Sequence, residues 1–389
     1  MNLNQPTEIE LKLSVAWSDV AQLMASPIWK DQVPRALTSV YFDTDDHRLR
    51  RAGLTLRLRA GIQTLKVIAP EAAGLFERAE WEHPVQGTTP DLAFLAQTPL
   101  AAVDLSANHL RPLFRIQVDR RTALINPIPD CQIEMALDIG RVEAAGRVQD
   151  FAELELERIE GPTRALFDLA LSMAAETRLV ASSQSKADRG FALLANDPVL
   201  PLKAESRLDL SGLSVGQALS AMVREGLGQI LHNGALVAQN REVEALHQIR
   251  VALRRLRATL GLFKAVVADQ AFIDMRGRLR ALSQIMGRAR DLDVLIARIE
   301  TSEQPSARLL EALILDRGQA YDEVGRVLAS HAYGQTLLTV MAWAEAGDWR
   351  QSPWSQAGLR DQPVLDFADQ ALERLRRKLK TDGKDLTNL

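Results

Sequence analysis

Glu8-Ile-Glu10-Leu-Lys12-Leu13 alternates ionic and apolar residues with a period of two, the pattern of a β-strand with one charged and one apolar face. The same alternation returns at Leu54-Thr-Leu-Arg57-Leu-Arg59, Thr64-Leu-Lys66-Val-Ile68, Glu80-Trp-Glu82, Gln132-Ile-Glu134-Met-Ala-Leu-Asp138 and Glu153-Leu-Glu155-Leu-Glu157. Turn chemistry separates the runs at Ala52-Gly53, Ala60-Gly61, Asn126-Pro127-Ile-Pro129-Asp130 and Gly140. Helical spacing interrupts them at 18–25 and 163–176. The first two hundred residues therefore predict an antiparallel sheet, closed or nearly so.

From about Leu213 the apolar residues recur every three or four positions, which predicts helices over 215–231, 242–267, 275–286, 292–300, 306–330 and 364–379. The fold class is α+β, with an all-α bundle following the β domain. Asn196-Asp-Pro-Val-Leu-Pro201 opens a stretch with two prolines between the two periodicities. The expected division is residues 1–195, a linker at 196–206, and a helical domain at 207–389. Residues 347–358 are expected to form a loop within the bundle.

The chain has 389 residues, 47 Lys and Arg against 50 Asp and Glu, and 47% hydrophobic residues. That composition excludes a disordered tail, a collagen and a disulfide scaffold, and the length suits about two or three domains. A single cysteine, Cys131, closes no intramolecular disulfide, and the polar start lacks the plan of a secretory signal, so a cytoplasmic protein is expected. No stretch approaches the roughly 18 uncharged apolar residues of a membrane span. Residues 1–200 carry 21 basic and 27 acidic side chains, whereas 250–290 carry ten Lys and Arg against two Asp. So steep a local excess points to a polyanion held through its phosphates, with nucleic acid not the expected partner.

Residues i and i+2 of a strand lie on one face about 6.6 Å apart, so Glu8 and Glu10 stand side by side, as do Glu80 and Glu82, Glu153 and Glu155, and Arg57 and Arg59. Any one such pair suits a solvated face. Their recurrence suits a shared lumen better, because adjacent like charges destabilise a sheet unless opposite charge lies between them. The lumen would then hold an acidic cluster of Glu8, Glu10, Glu153 and Glu155 and a basic cluster of Lys12, Arg57, Arg59, Lys66, Arg78, Arg120 and Lys186. Hard carboxylate oxygens suit Mg²⁺ or Mn²⁺. Converging Arg and Lys suit phosphate.

Glu8-Ile-Glu10-Leu-Lys12 resembles the E-x-E-x-K signature of the CYTH superfamily, the triphosphate tunnel metalloenzymes. The rest of that pattern follows in order at Tyr41-Phe-Asp43-Thr44, Leu49, Gly53-Leu-Thr-Leu-Arg57-Leu-Arg59, Lys66, Arg78-Ala-Glu80-Trp-Glu82, Phe114 with Arg120, Glu134-Met-Ala-Leu-Asp138-Ile-Gly140, Glu153-Leu-Glu155 and Ser185-Lys186-Ala-Asp-Arg189-Gly190. The resemblance implies an eight-stranded antiparallel tunnel with outer helices that binds a linear triphosphate and two divalent ions. Carried over, Glu8, Glu10, Glu153 and Glu155 are the metal carboxylates, with Asp138 joining through water. Lys12, Arg57, Arg59, Lys66, Arg78, Arg120 and Lys186 grip the phosphates, the first four also being catalytic. Glu80, Glu82, Glu134 and Glu157 either orient basic residues or face solvent, while Arg115, Arg121 and Arg189 take surface or supporting positions. The implied reaction is metal-assisted hydrolysis of a phosphoanhydride, releasing pyrophosphate and phosphate. It needs no Ser-His-Asp or Cys-His nucleophile, and His47, His83 and His109 are expected to be structural or exposed.

In the second half, His247, Arg250, Arg254 and Arg257 step by three, four and three, which places them on one helical stripe with Ile249, Leu253, Leu256 and Leu260 on another. This segment resembles the first basic helix of a CHAD domain, and Gly287-Arg288-Ala-Arg290-Asp291-Leu-Asp293 resembles that family's R-D-x-D stretch. The resemblance implies a bundle that binds inorganic polyphosphate through His247, Arg250, Arg254, Arg255, Arg257, Arg288 and Arg290, with Asp291 and Asp293 orienting Arg288 and Arg290. No second His-x-x-Arg helix follows, so the domain is read as incomplete, through a shortened chain or a degenerate second half. A CYTH domain followed by a CHAD domain is similar to bacterial inorganic triphosphatases, which makes tripolyphosphate the expected substrate. The rivals are a class IV adenylyl cyclase, a thiamine triphosphatase and a non-catalytic polyphosphate-binding adaptor.

Overall fold

A computed structural model describes residues 7–68, 73–105, 110–205, 208–267, 269–302, 306–350 and 357–386. The chain divides into two compact units, Met1–Leu200 with Ala329–Leu338, and Pro201–Leu328 with Thr339–Leu389.

In the first unit the period-two segments become β1 (Thr7–Val15), β2 (Arg35–Asp43), β3 (Leu54–Arg59), β4 (Ile62–Val67), β5 (Leu75–Pro84), β6 (Arg111–Ile125), β7 (Gln132–Ala144) and β8 (Arg147–Glu160). They close into an antiparallel barrel in the order β1-β5-β4-β3-β2-β6-β7-β8-β1. A ninth strand, β9 (Leu179–Ala181), pairs with residues 13–15 of β1, just where the β1–β5 ladder ends. Closure leaves the apolar face of each strand outside. Leu11, Leu13, Leu56, Leu65, Leu154 and Leu156 are completely buried there. At about 1.5–3 kcal/mol for each fully buried side chain, these rows are the main source of barrel stability.

Short helices cover that outer face, α1 (Trp17–Met24), α2 (Arg48–Arg51), α3 (Leu92–Leu95) and α4 (Arg164–Ala174), whereas α5 (Lys186–Ala195) packs against the lumen-facing side of β6, β7 and β8. The spacing-based expectations at 18–25 and 163–176 match α1 and α4. Phe42, Leu49, Leu56, Trp81, Leu95 and Leu100 form one cluster under α2 and α3. Tyr41, Phe114, Ile116, Val142, Phe151 and Phe191 form another under α5, on the inner side of the barrel, since Phe114 and Ile116 share a face with Arg120, Val142 with Asp138 and Phe151 with Glu153. A reciprocal capping box of Ser185 and Asp188 starts α5 and so fixes Lys186 at its first turn.

The second unit is helical: α6 (Val215–Asn240), α7 (Val243–Leu262), α8 (Lys264–Val267), α9 (Gln270–Glu300), α10 (Ala307–Leu328), α11 (His331–Ala346), α12 (Ala357–Arg360) and α13 (Val364–Leu386), with α11 beginning in the first unit. Two helices expected at 275–286 and 292–300 are one continuous α9, because Gly287 keeps helical geometry. The period-based reading did not find α11. Leu337, Leu338, Val340, Met341, Trp343 and Ala344 are all buried, and a helix apolar on every side has no stripe to detect. Of the loop expected at 347–358, Asp348–Arg350 is a 3-10 turn and Ala357 opens α12, while 351–356 lie outside the described residues. Within the expected linker, residues 197–205 have no regular structure, and the Asn233 side chain clasps both backbone groups of Leu202. No helix among the described residues is long and apolar enough to cross a membrane.

The docking of α5 depends on Gly190. A Cβ there would stand 2.0 Å from Phe114 Cε2, in a ring stacked on Tyr41 with centroids 4.8 Å apart. Gly190→Ala should therefore destabilise the first unit by about 1–3 kcal/mol in a denaturant melt, since a locked ring cannot yield as a flexible chain end could.

Candidate functional site

Pairing register decides which charges meet. Lys12 stands opposite Glu155, Ser14 opposite Glu153, Glu153 opposite Asp138, and Asp138 opposite Arg120, so four adjacent strands place one ionic belt around the lumen. A second belt follows from Glu8 opposite Arg78, Lys66 opposite Glu80, and Arg57 opposite Thr64. Together they line a cavity of about 760 Å³. All seven sequence-predicted phosphate ligands line it, as do Glu8, Glu10 and Glu155. Asp138 and Glu153 lie beneath its surface with no solvent exposure.

The contacts form a chain. Arg120 donates to both oxygens of Asp138, at 2.7 and 2.6 Å, and to Glu155 at 2.5 Å. The Lys186 ammonium lies 2.7 Å from Asp138 and 2.8 Å from Glu155, and it also contacts Glu153. Lys12 bridges Glu155 and Glu10, the latter at 2.8 Å. Arg78 joins Glu10 to Glu8 at 3.0 and 3.1 Å, and Lys66 joins Glu8 to Glu80 at 3.0 and 2.6 Å. The chain stops at β3. Among the described residues, Arg57 donates to Thr64 at 3.1 Å, its Nε has no hydrogen-bond partner, and its one ion pair, with Glu82, is long at 4.0 Å. Arg59 makes no hydrogen bond or ion pair among the described residues.

Charge and burial tune these groups in opposite directions. Burial pushes the Glu8 carboxyl up, but Lys66 and Arg78 outweigh it and hold the group at about 2. Burial likewise opposes the ionisation of Glu155 and Asp138, yet neighbouring Lys and Arg keep both below the usual carboxylate range. Burial and the Glu155 charge instead raise Glu10. Glu157 has no cation in hydrogen-bond reach among the described residues. Burial, then Glu8, Glu10 and Glu134, push it up to about 7. Burial, with Arg57 and Arg120 beside it, lowers Arg59, the sign of a cation without a counter-charge.

Asp138, Glu153 and Glu155 each offer an oxygen within 4.8 Å of the others, and the buried Glu153 Oε2 accepts no hydrogen bond. Three hard anionic donors, one of whose oxygens makes no hydrogen bond and only a 3.6 Å ion pair with Arg189, fit a divalent cation of the Mg²⁺ or Mn²⁺ kind. The Lys186 ammonium now rests among the three and supplies the positive charge they require. Glu8 and Glu10, expected in the same set, stand further along the chain of contacts, outside this trio.

Several supporting residues emerge more clearly than the sequence allowed. Glu80 orients Lys66, and Glu82 accepts from Thr64 at 3.1 Å. Arg189 is drawn in to 3.6 Å from Glu153, while Arg115 stays on the exposed side. Thr64, not predicted, shares the lumen face with Lys66 two residues on, a signal that strand alternation contains. Ile159, two residues beyond Glu157 on β8, carries the same signal, whereas Phe94, on α3, had none. His83 stacks on Phe94 at 4.3 Å and His47 meets Phe191 edge-on, both structural roles; His109 lies outside the described residues.

In the second unit, Ile249, Leu253, Leu256 and Leu260 are buried, Arg254 and Arg257 exposed, and His247 and Arg250 half-buried, so α7 has the two stripes that its spacing predicts. Arg255, which the resemblance added to the polyphosphate ligands, lies off the basic stripe and approaches Glu225 at 3.5 Å. The acids on α9 do not orient Arg288 and Arg290 as expected. Asp291 lies 3.3 Å from Arg250, whereas the buried Asp293 takes the Tyr321 hydroxyl at 2.9 Å and Arg317 at 2.7 Å. Two residues apart on a helix project about 200° apart, so the two acids serve different neighbours.

A closed eight-stranded barrel with a lumen of interlocked charges, joined to a helical unit, defines a tunnel-type barrel protein with an α-helical second half. The CYTH domain model matches residues 6–191 and the CHAD domain model residues 221–389; the chain belongs to the CYTH family in its first half and carries a CHAD domain in its second. It is 30% identical over 194 residues to the inorganic triphosphatase of Haemophilus influenzae, covering 48% of this chain and 54% of that protein. An uncharacterised protein of Mycobacterium tuberculosis is 27% identical over 306 residues, covering 74% of this chain and 58% of its own. The chain thus spans about half the length of the curated relatives it matches. Among solved structures, the CHAD domain of the plant Ricinus communis is 28% identical across 47% of this chain and 60% of its own, with a TM-score of 0.40.

Two outcomes follow for protein treated with chelator. Lys12→Met leaves Glu10 and Glu155 without their shared cation and should cost about 3–5 kcal/mol of unfolding free energy. Because the Glu157 carboxyl is raised from 4.5 to about 7, the folded state holds a proton that the unfolded chain has released, and stability falls as pH rises through that window. Melting temperatures should show Glu157→Gln gaining on the wild-type protein across it, whereas equal slopes would contradict the assignment.

Proposed function

We propose that the barrel hydrolyses inorganic tripolyphosphate to pyrophosphate and phosphate with Mg²⁺ or Mn²⁺, and that the helical domain at 207–389 holds inorganic polyphosphate. One observation carries the first half of this proposal. Five lumen cations are closely matched by carboxylates, but among the described residues Arg59 faces the cavity without one and Arg57 has only Glu82, at the long distance of 4.0 Å. Two adjacent arginines held in a confined space with so little counter-charge suit a polyanion, and their planar forks suit phosphate oxygens. The inorganic triphosphatase of Haemophilus influenzae, 30% identical over 194 residues, supports the same reading.

In the mechanism, Arg57 and Arg59 seat one end of the triphosphate, and Thr64 keeps the Arg57 fork turned inward. Lys66 and Arg78, each shared between carboxylates, line the path toward Lys12 and Lys186 and balance the negative charge gathering on equatorial and leaving oxygens. A divalent ion held by Asp138, Glu153 and Glu155 would supply charge neutralisation at the phosphoryl oxygens and activation of an attacking water. Glu80 and Glu82 hold their cations in place and keep the lumen close to neutral before substrate enters. A cytoplasmic setting suits the buried free thiol of Cys131.

The cavity wall also includes Phe94 and the half-exposed Ile159, at the end of the barrel where β1 begins. This apolar patch favours a second reading, a triphosphate bearing an organic group, as in a class IV adenylyl cyclase acting on ATP. Phosphate release from tripolyphosphate and from ATP, with metal and with chelator, separates the two. The first reading expects metal-dependent release from tripolyphosphate and a loss of roughly a hundredfold in kcat/KM for Arg57→Ala or Arg59→Ala. Cyclic AMP from ATP with tripolyphosphate untouched would replace it with the second. For the helical domain, reversing charge at Arg254 and Arg257 should weaken polyphosphate retention while leaving tripolyphosphate turnover nearly unchanged; equal loss of both would reject two separable sites.

A further inference from the structure

Arg250 is the one member of the α7 stripe whose guanidinium crosses to the neighbouring helix. Its Nη2 lies 3.3 Å from Asp291 on α9, and its Nη1 fills the space above Gly287, where an added Cβ would stand 2.8 Å away. Gly287 is buried in the interior of a 31-residue helix. Its φ is not in the left-handed range, so the backbone makes no demand for glycine there. Alanine would strengthen the helix, because an interior glycine gives up more conformational freedom on folding than any other residue. Among the described residues, the only side chain that a Cβ at 287 meets is Arg250. The Asp291 partner is 74% exposed, and an ion pair that open to water adds little to stability. Neither Gly287 nor Asp291 is therefore explained by packing or by fold stability.

We propose that Gly287 and Asp291 are positioning residues that hold Arg250 across the α7–α9 contact as a prearranged phosphate ligand. The proposal rests on the polyphosphate reading of the helical domain and deepens it. An arginine free in solvent must surrender most of its rotamer freedom when it grips a phosphate. Arg250 has surrendered it already, in the slot that a missing side chain opens and under the lateral pull of an exposed carboxylate. The exposed Arg254 and Arg257 then extend the same stripe along α7 for successive phosphates of a chain.

The contact is with the far end of a flexible side chain, so Gly287→Ala displaces a guanidinium without disturbing the fold, and its two effects have opposite signs. In the full-length protein, titrated calorimetrically with inorganic polyphosphate of defined length, Gly287→Ala should bind roughly five- to tenfold more weakly, the order of one charge-assisted hydrogen bond lost in part. Its melting temperature should be unchanged or higher. Gly277→Ala, in the same helix with nothing within 4 Å of its added Cβ, should keep its affinity. In an Arg250→Ala background, Gly287→Ala should have no further effect on binding. A lower melting temperature for Gly287→Ala, equal weakening in both backgrounds, or full affinity in Gly287→Ala while Arg250→Ala is impaired would each overturn the positioning role. A wild-type protein that binds no polyphosphate would instead overturn the reading beneath it.

Discussion

Charge compensation inside a closed barrel is the constraint on which the first half of this protein depends. Glu10, Lys12, Asp138, Glu153 and Glu155 are all at most 7% exposed. Charges so far from water survive only with partners, and each partner here is shared: Lys12 between two glutamates, Lys186 among three carboxylates, Arg120 between two. Such networks rarely add net stability compared with apolar residues of the same size. The leucine rows outside the barrel hold it together, and the ionic rows inside are tolerated because those leucines over-determine the fold. Around the ionic belts, function and stability thus occupy opposite faces of the same strands, one residue apart, while under α5 the inner face itself turns apolar.

That division explains what was legible in the sequence. Alternation in Glu8–Lys12, Arg57–Arg59 and Glu153–Glu157 reports which residues share a face, and the face was assigned to a lumen that the barrel indeed forms. Alternation does not report register. The meeting of Lys186 with Asp138, Glu153 and Glu155 arises because α5 inserts its first turn from outside the β ladder, a long-range event with no local trace. Separation of Glu8 and Glu10 from the acidic trio has the same origin, since the pairing of β1 with β5 gives them Arg78 and Lys66 instead. In the helical unit, the stripe on α7 was readable from spacing alone. The targets of Asp291 and Asp293 were not, because they depend on which helices pack on either side of α9.

The two halves handle cations differently. Lumen arginines and lysines are rationed, matched one by one until the chain of contacts ends at Arg57 and Arg59. On α7, Arg254 and Arg257 stand in solvent without partners of that kind, and selectivity there would come from placement more than from burial. A confined lumen in which Arg59 is unpaired among the described residues and Arg57 is paired only loosely suits a short anion of fixed length. An open basic stripe suits a longer one whose ends need not be recognised. The same phosphate chemistry can therefore be read twice in one chain, once by enclosure and once by spacing.

Crystals of the chain soaked with Mn²⁺ and tripolyphosphate test the central claim most directly. The account predicts an anomalous peak among Asp138, Glu153 and Glu155, with phosphate density in the lumen against Arg57 and Arg59. Metal and phosphate bound only on the outer surface, with the lumen pairs intact, would contradict it.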